Sequence, residues 1–512
     1  MGQRVLLRSC APGTRLILST LGFAFALWLA AVVPTDAASS DFAPALEAMT
    51  YNLNLAWVLI AGFLVMFMQL GFALLETGFT RAKNAVNTMA MNLVIYPVGL
   101  IGFWLTGYGF MMGGIHQWPS LGTFGLPHRE LSISLGGHLF GLLGFSKFGL
   151  LTVNNDSGSL AMFLFATVFM GIAATIPTGA MAERWKFSAF LIYGFFMSMF
   201  LYPLYGNWVW GGGWLSQLGL NLGLGHGQVD FGGSSVVNMT GGLTAMAGAM
   251  VLGPRIGKFR RDGTIGLLAG HNLPMAIGGT LILAFGWFGL NSGSTLAASD
   301  PRIGQIAVNT MLASAAGSLT AILYLQQRYN RPDVAMACHG LLGGLVAITA
   351  SCAFVSPAAA VLIGIIARLL VVVSVLALER RFRIDDPAGA IPVHGVCGLW
   401  GALALGIFAD GTYGDGWNGV AGPVRGLISG DLGQFIAQVI GVSVNAIVIF
   451  SLAMAFFVVV ERTIGNRVAA EVEWSGLDAL EMGSEAYPNV WPATPARWQS
   501  LHRYLGLLPA AP

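Results

Sequence analysis

Between residues 53 and 460 the sequence returns eleven times to an apolar run long enough to cross a bilayer. A helix needs about 20 consecutive apolar residues for that. The runs lie near 53–79, 88–113, 159–182, 186–206, 232–253, 264–290, 303–327, 334–354, 355–379, 390–409 and 434–460. In lipid, only helices and closed barrels satisfy their own backbone polar groups. The period-two alternation of barrel strands is absent. The chain is therefore predicted to be an all-α polytopic membrane protein. Its composition agrees: of 512 residues, 55% are hydrophobic and only 9% charged. A net charge of +2 argues for no nucleic-acid partner. Four cysteines (Cys10, Cys338, Cys352, Cys397) form no CxxC pair, and the eight histidines form no HExxH pair. Neither a structural disulfide, a metal site nor a cofactor is expected.

The first 38 residues have the layout of a signal peptide. Arg4, Arg8 and Arg15 precede the apolar LILSTLGFAFALWLAAVV, and small residues follow. Cleavage is expected after Ala37 or Ala38, an uncleaved first helix being the alternative. The membrane domain is expected over 50–460 and a polar cytoplasmic tail over 461–512. The six connections TRAKN, ERWK, PRIGKFRR, QQRYNR, ERRFR and ERTIGNR carry fifteen Lys and Arg, against four in the opposite loops. By the positive-inside rule those six face the cytoplasm, which sets the N-terminus outside and the C-terminus inside. The loop 114–158 is Gly-rich and reads as a surface excursion. One residue resists this scheme. Arg368 falls in the middle of VLIGIIARLLVVVSVL, where an unpaired charge costs a few kcal/mol or more. A buried partner or a subunit contact is expected there, unless the boundaries of that span are wrong.

Two polar segments are related. Shifted by 156 residues, DFGGSSVVNMTGGL (230–243) overlies DPAGAIPVHGVCGL (386–399). Asp230 meets Asp386, Gly233 meets Gly389, Gly242 meets Gly398, and Asn238 meets His394. The charge count sends the two spans in opposite directions, as in an inverted repeat. Asn238 and His394 should then face each other near the midplane.

These stretches resemble the ammonium transporter family, which includes the Rh proteins. So do MQLGFALLETGFTRAKN (68–84), WVWGGGW (208–214), HNLPM (271–275), GWFGLNSGS (286–294), VHGVCG (393–398) and the tail GLDALEMGSEAY (476–487). The resemblance covers most of residues 50–490. It implies eleven helices in two inverted five-helix halves plus a last helix, a homotrimer with a pore in each subunit, and residence in the inner (plasma) membrane among its lipids. It implies an outer ammonium site at Phe165, Trp210 and Ser294. A gate follows at Phe169 and at Leu290, where relatives carry a second aromatic ring. Asp230 is expected at the outer mouth, either touching the cation or holding the start of its helix. The family places two histidines at the midplane; here Asn238 stands in for one and His394 is the other. Glu76 reads as an acid at the inner mouth or in subunit structure. The tail implies a PII-type regulator, although Met482 stands where a His is usual.

Moving a bare cation into a low-dielectric interior costs on the order of 20 kcal/mol. Removing a proton from ammonium, whose pKa lies about two units above neutral, costs roughly 3 kcal/mol. The expected function is therefore transport: the cation binds outside, loses a proton, and ammonia crosses an apolar pore. A carboxamide at Asn238 cannot take up that proton, so a two-imidazole relay at 238 and 394 is impossible. The alternative is an ammonium sensor that binds and barely conducts. No nucleophile–base set or phosphate loop supports an enzyme.

Overall fold

The computed structural model describes residues 35–114, 117–123, 129–153 and 156–487. The predicted signal segment lies outside them, apart from residues 35–38 at the start of a helix running Thr35–Phe79. The end of the tail, 488–512, lies outside them too. The chain divides into two units, one ending at Leu53 and one beginning at Asn54. The described part of the first is helical, with exposed apolar side chains at Phe42, Leu46 and Met49.

Among the described residues, ten helices are long and apolar enough to cross a membrane. They are α1 (Phe42–Phe79), α2 (Ala82–Met112), α3 (Ser157–Met181), α4 (Phe187–Val209), α5 (Ser234–Leu252), α6 (Leu273–Gly293), α7 (Ile303–Arg328), α9 (Pro357–Phe382), α10 (Ile391–Phe408) and α11 (Leu432–Thr463). A shorter apolar helix, α8 (Val334–Ile348), stands where 334–354 was expected to span. Its 15 residues rise only about 22 Å. It stops because the chain turns at Thr349 and Ala350, whose carbonyls accept the N–H groups of Gly232 and Phe231. The run 264–290 is also shorter than expected. Its helix begins at Leu273, with Asn272 accepting from the Met275 N–H and Pro274 in the first turn, a strong start signal. The loop 114–158 is more ordered than its glycines suggested, with an antiparallel hairpin of β1 (Glu130–Leu135) and β2 (His138–Gly144).

The core is centred on α3, which is buried on nearly every face. The peripheral helices expose Leu281, Phe285, Val373 and Ile447. In water such a belt is a liability; in lipid it meets a like solvent. Arg368 is mid-helix in α9 as expected, and of the two alternatives, a buried partner or a subunit contact, the buried partner is not found among the described residues of this chain. It is 1% exposed, and none of its three guanidinium nitrogens has a hydrogen-bond partner among the described residues.

The tail is docked rather than loose. Two short helices, α12 (Ala470–Ser475) and α13 (Leu477–Glu481), lie against the connections that precede α2, α4 and α6. Asp478 accepts from Val86 and Asn87 N–H at 3.0 and 2.8 Å, near the start of α2. Lys83 Nζ donates to the carbonyls of Glu473 and Trp474. Glu481 accepts from the N–H of Phe187, and His271 shares a 2.9 Å hydrogen bond with the Tyr487 hydroxyl. Asp478→Ala is expected to weaken docking by about 1–2 kcal/mol, the value of a capping carboxylate. Limited proteolysis should then cut the tail faster; an unchanged cleavage rate would show that Asp478 does not hold it.

Candidate functional site

The two related segments fold alike. Asp230 accepts backbone N–H groups from Gly233, Ser234, Ser235 and Val236 at 2.8–3.0 Å, together with the Ser235 hydroxyl at 2.6 Å. Asp386 accepts from Ala390 and Ile391. Each aspartate thus satisfies orphan donors at the start of a helix. Gly233 and Gly389 both have left-handed backbones, with φ of 104° and 69°, which a side chain would strain. After each glycine the helix begins with a π-helical stretch, Ser234–Met239 and Ile391–Val396. The crossing is reciprocal. A Cβ on Gly242 would sit 2.2 Å from the backbone of Gly395, and one on Gly398 would sit 2.8 Å from Met239. Those contacts map onto each other under the shift of 156 residues, so α5 and α10 meet at bare backbone about a local pseudo-two-fold.

A cavity of about 240 Å³ opens on one side of this crossing. Phe165, Phe169, Trp210 and Ser294 line it, as do Trp118, Phe231 and Trp417. No charged side chain is among its lining residues. Phe165 and Phe169 pack with ring centroids 4.6 Å apart and planes tilted by 45°, and Phe169 meets Trp210 edge-on at 5.8 Å. The Trp210 indole N–H donates to the Asp230 carbonyl at 2.6 Å, so its π surface remains to interact with a ligand. The Ser294 hydroxyl donates to the Leu290 carbonyl at 2.7 Å, which leaves oxygen lone pairs as acceptors. The site therefore offers ring faces and acceptors, which suits a small cation with hydrogens.

Asp230 is not a lining residue. Its carboxylate is fully buried and already taken by five donors. Burial pushes its pKa above the ordinary carboxylate value, and those donors partly offset the rise. Of its two expected roles, the geometry corresponds to the helix start. Leu290 is fully buried and likewise absent from the cavity wall; it reaches the site through its carbonyl.

Asn238 and His394 come together as their alignment implies. His394 Nδ1 lies 2.8 Å from Asn238 Oδ1, and Asn238 Nδ2 donates to the Gly233 carbonyl at 2.9 Å. A carbonyl can only accept, so the amide nitrogen must face Gly233 and the amide oxygen must face the imidazole. His394 then carries its proton on Nδ1 and keeps a lone pair on Nε2. Beyond this pair lies a void of about 10 Å³, lined by residues that include Phe72, Glu76, Ile176, His339 and His394. That is close to the space one water needs. Seven residues of α3 separate Phe169, on the wide cavity, from Ile176, on the narrow one, or about 10 Å.

The sequence alone missed Trp118, Phe231, Trp417 and His339. The first three sit in or beside loops, where an aromatic carries no positional signal. His339 is a lone histidine in an apolar run.

Comparison with known proteins gives the family and the fold. The profile of the Ammonium Transporter Family matches residues 56–487. Ammonium transporter Amt2 of Archaeoglobus fulgidus is 45% identical over 440 residues, covering 85% of this chain and 88% of its own. Ammonium transporter 1 member 3 of Solanum lycopersicum is 34% identical, covering 86% and 94%. Among solved structures, one titled Sensor Amt Protein superposes with a TM-score of 0.74 at 35% identity, over 85% of this chain and 99% of that one. Mep2 of Candida albicans superposes with a TM-score of 0.69 at 24% identity, over 86% and 93%, and so speaks to the fold alone. With its apolar helices and a match over most of its length, this multi-pass membrane protein belongs to the Ammonium Transporter Family.

Proposed function

We propose that the chain moves ammonium or ammonia across its membrane. The cation is held in the aromatic cavity by Phe165, Trp210 and Ser294. It gives up its proton, and ammonia passes Phe169 and then the Asn238–His394 pair. The observation that carries this reading is the pairing of an uncharged aromatic cavity with a void of about one water's size beyond the crossing. A wide, water-filled pore would pass hydrated ions; a narrow apolar one favours the neutral form. The basic connections support an orientation with the cavity outside and the docked tail in the cytoplasm. A homotrimer, residence in the inner membrane, and a PII-type partner at the tail belong to the same proposal. Uptake of ammonium by reconstituted vesicles tests it, and no uptake of ammonium or methylammonium would end it.

Two substitutions probe the path. Trp210→Leu removes the strongest ring face, which contributes roughly 0.5–2 kcal/mol to cation binding, and should raise half-saturation about tenfold. Unchanged half-saturation would remove Trp210 from the site. Asn238→His restores a titratable group beside His394. It is expected to change the charge moved per ammonium, measured as current against uptake in the same vesicles. An unchanged ratio would show that Asn238 does not set the coupling.

A sensor is the second reading. It is favoured by the likeness to the protein titled Sensor Amt Protein and by the single imidazole at the crossing. Ammonium binding with little flux would select it.

A further inference from the structure

We propose that His339 is a second pore imidazole and that with His394 it forms an inner site for one small N–H donor, ammonium or ammonia. The inference rests on the transport or sensing reading above and adds a residue that reading does not use. His339 lies on α8, outside both related segments. Its Nε2 is 2.9 Å from the Ala388 carbonyl. A carbonyl only accepts, so Nε2 carries the proton and Nδ1 holds a lone pair. That Nδ1 is buried and has no partner among the described residues.

His394 is in the matching state. Its Nδ1 proton is used by Asn238, which leaves its Nε2 lone pair. Both imidazoles line the same void of about 10 Å³. With both lone pairs turned to it, this space for one water-sized molecule would call for an occupant that brings at least two hydrogens. Water, ammonia and ammonium all do, and potassium brings none, so an ammonium salt tested against a potassium salt tells ammonium or ammonia from a resident water. Methylammonium has the hydrogens and lacks the room. Glu76, which accepts from Asn92 and Thr178 at 2.7 Å, lines the same void and adds an acid to it.

The surroundings hold this geometry. His339 packs against the Phe79 ring at 5.0 Å, and His394 against Phe72 at 5.7 Å. Gly389 permits the approach, since a Cβ there would stand 2.9 Å from His339 Nε2. The left-handed glycine that opens the second segment therefore also admits the imidazole.

The test uses the full chain in lipid, with ¹⁵N-labelled histidine. Ammonium chloride should shift His339 Nδ1 and His394 Nε2 together, whereas potassium chloride should shift neither. His339→Gln identifies one resonance and should blunt the response of the other. In vesicles, His339→Ala opens the void and should lower the ammonium-to-methylammonium uptake ratio roughly tenfold, the low end of the scale on which a pocket distinguishes one carbon. His339→Gln can still donate to Ala388, so a loss of ammonium response in that variant is not a packing effect. Resonances that ignore ammonium overturn the inner site. So does a wild-type uptake ratio in both variants. A wild type without flux ends the transport reading alone, and the resonances then decide the inner site.

Discussion

Asp230→Ala should abolish ammonium uptake and lower thermal stability more than any other single change at the site. The carboxylate accepts four backbone N–H groups and one hydroxyl while fully buried. Alanine leaves those donors without a partner, at about 1–3 kcal/mol each where water cannot enter. The damage also spreads along the chain. Asp230 offers its carbonyl to Trp210, and Asn238 donates to the carbonyl of Gly233. Unwinding the first turn of α5 would therefore disturb the aromatic cavity and the Asn238–His394 pair at once. Asp230→Asn keeps one acceptor but turns an NH₂ toward N–H donors, so it should be intermediate. Uptake in vesicles and the unfolding midpoint in detergent measure both effects. Wild-type uptake by Asp230→Ala would show that the carboxylate does not organise the site.

The second large effect lies at the opposite end of the helices. Arg255 donates to Glu183 at 2.7 Å and to Asp385 at 2.8 and 3.0 Å, and Arg81 also pairs with Glu183. Arg255, Glu183 and Asp385 are almost fully buried. Removing Arg255 would strand the Asp385 carboxylate and leave Glu183 with Arg81 as its remaining ion-pair partner, a loss of about 3–5 kcal/mol. The network also holds Glu183 in a left-handed backbone with φ of 72°, a strain that its loss would release. Burial by itself raises the Asp385 carboxyl, but Arg184 and Arg255 together overturn that and hold it well below the usual carboxylate range. The direction sets the pH dependence. A depressed carboxylate contributes stability above its unfolded pKa, about 4, and loses it as the pH falls toward its folded value. The unfolding midpoint of the wild type should therefore drop below about pH 4. Arg255→Ala should start lower and lose less over that range. An identical acid profile in the two proteins would show that the network is not what the acid titrates.

Much of the site was legible because it is written twice. The shift of 156 residues aligned Asn238 with His394, and the two side chains share a 2.8 Å hydrogen bond. The same shift aligned Gly233 with Gly389, and both have the left-handed backbone that makes glycine necessary. Phe165, Phe169, Trp210 and Ser294, singled out by the family resemblance, line one cavity. The ends of elements were less legible. The run 264–290 is apolar throughout, yet its helix waits for the cap at Asn272. In 334–354 the helix stops where Thr349 and Ala350 turn their carbonyls to Phe231 and Gly232, partners more than a hundred residues away. A pattern of hydropathy cannot see either event, since both are settled by single hydrogen bonds.

What the sequence determined by itself is the solvent and the family. Long apolar runs with basic connections admit only a bundle of membrane helices, because lipid leaves the backbone no other partner. The repeated Asp, Gly and polar positions named the crossing of α5 and α10 where Asn238 and His394 meet. What the tertiary structure alone decided is how each polar group is used. Asp230 could touch a cation or hold a helix, and it holds the helix because four N–H groups converge on it. Arg368 was expected to have a buried partner or a subunit contact, and folding of the single chain buries it with no hydrogen-bond partner among the described residues. His339 had no signal in the sequence at all. Its place beside His394 comes from the packing of α8 against α10, a contact between elements separated by a full span. Hydrogen-bond direction is fixed only when partners from distant segments meet, and at this site that direction determines the chemistry.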